Sequence, residues 1–94
     1  MTAAPTPTID SAGVVSWTNP ATPPATWGLT AGFDDATVAL VDSTSQTISG
    51  ASTSYDAYAN GWFGGMRVQL VGLDANGNLI LAPAWSLGNL TKNL

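Results

Sequence analysis

Short apolar runs with a repeat of two recur along this chain, each cut off by residues that favour turns. Across 13–18, Val15 and Trp17 alternate with Val14, Ser16 and Thr18, the pattern of a half-buried strand. Asn19-Pro20 and Pro23-Pro24 end that run and span a loop. Over 26–33, Trp27, Leu29, Ala31 and Phe33 share one face; Thr26, Gly28, Thr30 and Gly32 share the other. Asp34-Asp35 closes this strand. Residues 37–41 (TVALV) predict a short apolar strand, and DSTS at 42–45 predicts a turn after it. One more strand is expected within 46–59, where Ile48 and the Tyr55/Ala57/Ala59 series compete for the core.

The clearest strand is 66–74, in which Met66, Val68 and Leu70 alternate with Arg67 and Gln69. The alternation falters at Val71 and Leu73, which predicts either cover on both faces or a bulge. Ala75-Asn76-Gly77-Asn78 signals a hairpin, because Asn-Gly tolerates the positive φ of tight turns. The strand over 79–85 then returns antiparallel, and Pro83 confines it to an edge or a bulge. Spacing of roughly 8–12 residues between runs, and about seven runs in all, predicts an all-β, antiparallel two-sheet sandwich over 9–85. Residues 1–8 (MTAAPTPT) are expected to form an extended, weakly held arm, since Pro5 and Pro7 fix φ and remove ladder donors. Residues 86–94 are expected to be a loose polar tail. No internal repeat, heptad or amphipathic helix is evident.

Composition narrows the function classes. The 94 residues suffice for a single domain, and four Trp, two Tyr and two Phe can fill its core. Only 9% of residues are charged, so Thr, Ser, Asn, Gly and Ala must cover most of the surface. The net charge of −4 sets six Asp against Arg67 and Lys92. No cluster of cations is present to neutralise phosphates, so neither nucleic acid nor an anionic membrane is an expected partner. The absence of Cys rules out disulfides and thiolate chemistry, and the absence of His removes the usual general base. The opening Met1-Thr-Ala-Ala-Pro has no basic and apolar regions of a signal peptide, so the expected product is either kept in the cytoplasm or leaves by a route other than a cleaved signal.

Residues 9–85 resemble the fibronectin type III module. Its second strand carries a buried Trp before a Pro-containing loop, matched by Val15-Ser16-Trp17-Thr18-Asn19-Pro20. Its sixth strand is matched by Met66-Arg67-Val68-Gln69-Leu70-Val71-Gly72-Leu73 and the turn at Asp74-Ala75-Asn76-Gly77. The family's Tyr at the start of that strand is Met66 here, no Leu-x-Pro corner precedes it, and no Arg-Gly-Asp triplet is present. An immunoglobulin-like sandwich is the broader match. The resemblance implies a fold and a non-catalytic mode of use, as spacer, adhesion unit or recognition surface.

Candidate chemistry is sparse. Asp34 and Asp35 point to opposite faces when extended, so they do not form a catalytic pair. A Ser/Lys arrangement would need Lys92, which falls in the expected loose tail. Asp74-x-Asn76-x-Asn78 opens like a calcium loop, but Leu79 and Trp85 stand where such loops need Gly and a bidentate carboxylate. Asp34, Asp35 and Asp42 form a weaker metal candidate. Asn89-Leu90-Thr91 matches a glycosylation sequon, read as chance. No catalytic residue, cofactor or metal is therefore assigned. Trp17, Trp27, Val68 and Leu70 are the expected core anchors.

Two bulky rings, Trp62 and Phe63, lie between Asn-Gly and Gly-Gly, with Tyr55 and Tyr58 upstream. They are expected either to plug the open end of the sandwich or to form, with both Tyr, an exposed contact surface for protein or sugar. The function expected is a multi-copy structural or assembly module, such as a phage capsid decoration protein in a virion, with other protein subunits as partners. The alternative is an extracellular adhesion or carbohydrate-binding module that uses the aromatic loop on a glycan.

Overall fold

A computed structural model describes residues 1–32, 45–62 and 66–91. The expected strand at 37–41, together with Phe33, Asp34, Asp35, Asp42, Phe63 and Lys92, lies outside these residues. The described part is an all-β sandwich with seven strands in two antiparallel sheets. One sheet has three strands, ordered β1-β2-β5: β1 is Thr8–Ile9, β2 is Val14–Ser16 and β5 is Ser54–Asp56. The other has four, ordered β4-β3-β6-β7: β4 is Ser45–Ser49, β3 is Thr26–Gly32, β6 is Arg67–Leu73 and β7 is Leu79–Trp85.

The period-2 pattern decides which side chains meet. In β3, Trp27, Leu29 and Ala31 are fully buried, and they stand opposite Gly72, Leu70 and Val68 of β6. Val15 and Tyr55 pair on the inner face of the other sheet. Trp17, just past β2, meets Trp27 edge-on with centroids 5.7 Å apart and planes at 66°. All four expected anchors, Trp17, Trp27, Val68 and Leu70, are buried. Burial alternates along the whole of β6, and the bulge expected near Val71 and Leu73 is present as a shift in its pairing with β7. Gly72 takes the inward position and Val71 and Leu73 the outward ones, because the side chain of Leu81 already fills the space a Cβ on Gly72 would need.

The hairpins are set by aspartate. Gly77 N–H donates to the Asp74 carbonyl at 3.0 Å, while Asp74 Oδ1 accepts from the N–H groups of Asn76 and Asn78. Gly77 has φ of +82°, which glycine adopts without strain. The β1–β2 turn repeats this arrangement: Asp10 Oδ1 accepts from Ala12 and Val14, and Gly13 has φ of +77°. The pairing of β6 with β7 shifts register between Leu70 and Gly72 and again between Gly72 and Leu73. Pro83 falls within the first irregularity, where no ladder donor is needed.

Three expectations need correction. The segment 46–59 holds two strands rather than one, β4 and β5, in different sheets, followed by a 3-10 turn at Tyr58–Asn60. Gly50 makes the break between them, since a Cβ there would collide with the Pro24 carbonyl. The arm 1–8 is not loose. Ala3 bridges Ala82 in parallel, Ala4 N–H donates to the Ala82 carbonyl at 2.8 Å, and Ala4 and Pro7 are buried. Nor is the described part of the tail loose. Ser86 and Leu90 are fully buried and donate backbone hydrogen bonds to the carbonyls of Val68 and Met66. Both segments supply apolar groups to a core too small to close without them.

Candidate interaction surface

The acids come first, since they set what chemistry the molecule can do. Asp10 and Asp74 spend a carboxylate oxygen on their own turns, and Asp56 Oδ1 accepts from the Ala59 N–H at 3.1 Å. Among the described residues, no three groups of metal-ligating type converge. Backbone donors, the Asn78 N–H foremost, hold the Asp74 carboxyl below its ordinary range. That is the signature of a turn anchor.

The aromatic cluster divides differently from an exposed platform. After the 3-10 turn, Gly61 at φ +85° reverses the chain, and Trp62 N–H donates to the Ala57 carbonyl at 3.0 Å. This turns the Trp62 ring inward to a tilted contact with Tyr55, centroids 5.0 Å apart. Trp62 keeps 4% of its exposure and Tyr55 9%. Of the two expectations for these rings, Trp62 follows the inward one, and the contact surface expected from Tyr55, Tyr58, Trp62 and Phe63 is corrected at Trp62 and Tyr55, which belong to the core because burying them takes large apolar area out of water. Burial first, and then the adjacent Asp56, push the Tyr55 phenol above 10.0. Tyr58 is half-buried and packs over Gly13, and its hydroxyl accepts from the Thr91 N–H at 2.7 Å. It ties the chain's end to the sandwich.

The outer face of the four-stranded sheet is exposed along β4 and at Leu79 and half-buried over most of β3 and β6. Register places Thr26, Gly28 and Thr30 of β3 there, beside Ser49, Thr47 and Ser45 of β4. On β6 it places Leu73, Val71 and Gln69 opposite these, and on β7 Leu79 and Trp85. The face grades from hydroxyls on β4 to apolar side chains on β6 and β7. Leu79 is 43% exposed. Gly28 keeps the middle flat, since a Cβ there would meet Val71 Cγ2 at 2.8 Å. Among the described residues of this face the charged side chain is Arg67, whose guanidinium lies 5.8 Å from the Trp85 ring centroid and whose Nε donates to the Ser86 carbonyl. Sequence reasoning missed this face because it weighed loop aromatics and not the outward positions of the strands. The signal was Val71 and Leu73 in a strand whose inward set was already complete.

Comparison with known proteins finds no family, curated protein or solved structure that matches this chain.

Proposed function

We propose that this protein is a non-catalytic assembly module, a structural subunit present in many copies on a protein lattice such as a virion, for example decorating a phage capsid. The observation that carries this is the outer face of the four-stranded sheet. Among the described residues it is poor in charge and part apolar, with Trp85 and Arg67 side by side. Interface centres are depleted of charge and enriched in Trp and Arg, and such residues carry most of the binding energy. A lattice of one domain also requires a rigid unit, and both ends of the described chain are bonded into the sheets. The fibronectin type III-like resemblance has support of the same kind: the second strand leads into buried Trp17, and the sixth strand spans Arg67–Leu73.

The test is where the chain goes. Genes for capsid, portal or terminase subunits beside its own, and recovery of the chain in many copies with purified particles, are the expected results. A chain found only free, with no particle in which it is enriched, overturns the proposal.

A further inference from the structure

Four strand edges end the two sheets, and three carry a device against pairing. The β7 edge has Pro83, two register shifts and the arm bonded along it. The β1 edge is a two-residue strand preceded by Pro5 and Pro7, and the β5 edge is a three-residue strand ending in Asp56. Short strands, prolines, bulges and charges are the usual protections of an edge. β4 has none of them. Ser45, Gln46, Thr47 and Ser49 are exposed, and the five-residue strand contains neither Pro, Gly nor a charge.

Its free backbone groups follow from the ladder. Gly50 N–H donates to the Ala25 carbonyl at 3.0 Å, so Ile48 and Gln46 bond toward β3. The N–H and C=O groups of Ser45 and Thr47 and the N–H of Ser49 therefore point away from the sheet, while the Ser49 carbonyl accepts from the Ser52 N–H at 3.0 Å. Among the described residues no strand pairs with that side of β4.

We propose that the β4 edge pairs antiparallel with the β4 edge of a second copy of this chain. The sequence Ser45-Gln46-Thr47-Ile48-Ser49 is nearly self-complementary about Thr47. A two-fold axis at that residue sets Thr47 against Thr47 and Ser45 against Ser49, a hydroxyl ladder on the outer face, with Gln46 against Ile48 beneath. An uncharged strand meets no repulsion from its own copy. Three residue pairs then exchange on the order of four backbone hydrogen bonds, the Ser49 carbonyl being held by Ser52, and two four-stranded sheets become one continuous sheet. The inference rests on the assembly proposal and gives it a contact.

Two variants test it. Thr47→Pro removes the outward N–H without touching a β3 bond, so sedimentation of the full chain should show loss of the dimer with an unchanged circular dichroism spectrum. Thr47→Cys places the only thiols of the pair opposite one another at about 5.5 Å between Cα atoms, within disulfide reach. Mild oxidation should cross-link it about tenfold faster than a Ser11→Cys control, because pairing raises the effective concentration. Equal cross-linking of the two overturns the pairing whether or not the proline variant folds. Association that survives Thr47→Pro yet is lost in Leu79→Asp overturns it too, and moves the contact to the outer sheet face. A chain that stays monomeric at millimolar concentration also overturns it, whereas the assembly proposal falls only on the particle measurement above.

Discussion

Trp17 and Trp27 touch, are both buried, and differ in one atom's surroundings. Trp27 Nε1 donates to the Gly50 carbonyl at 3.1 Å, while Trp17 Nε1 is buried with no hydrogen-bond partner among the described residues. An unpaired buried donor costs about 1–3 kcal/mol, whereas a paired one contributes roughly 1 kcal/mol. Trp27→Phe should therefore lower unfolding free energy more than Trp17→Phe, by at least about 1 kcal/mol in urea titrations. An equal loss would show that ring volume alone matters at both sites. Trp62 adds a third case. Had its ring been an exposed contact, truncation would leave stability unchanged; in the core, Trp62→Ala should cost about 3–5 kcal/mol.

At the scale of elements, the β6–β7 hairpin depends on a single carboxylate. The folded state holds the Asp74 pKa below its unfolded value, so the ionised form stabilises the turn. That contribution is present above the ordinary carboxylate range, near pH 4, and is lost as pH falls through the lower folded value. Asp74→Ala should lower Tm at pH 7 and flatten its dependence on pH below about 4. An unchanged slope would shift the acid sensitivity to other groups. The Tyr55 phenol acts at the opposite end: its raised pKa favours the fold up to about pH 10, and that advantage is lost as pH rises through the folded value. Both hairpin turns share the spacing Asp-x-x-Gly, in Asp10–Gly13 and Asp74–Gly77. Asn-Gly drew attention to the second; the aspartate explains both.

At the scale of the whole molecule, the ends of the chain finish the core. Leu90 is as buried as Leu70, and its N–H reaches the Met66 carbonyl. Leu90→Ala should thus cost about 2–5 kcal/mol in thermal or chemical unfolding, as Leu70→Ala should. A cost near zero would return the end of the chain to the status of a tail. A small sandwich buries a low fraction of its surface, so each added apolar side chain carries weight.

Sequence alone determined the class, since alternation fixes which side chains face inward whatever the partner strand: Val15, Trp27, Leu29, Val68 and Leu70 follow from a repeat of two. It also located the hairpin at 75–78 and the tolerance of Pro83. Only the tertiary structure decided three further matters. Whether Trp62 is core or surface depends on a reversal at Gly61, a residue equally at home in an open loop. Whether 1–8 and 86–91 are bound depends on edges and gaps made by strands distant in the sequence. Which strands lie at the sheet edges depends on strand order, and strand order is a property of long-range pairing that no local repeat encodes.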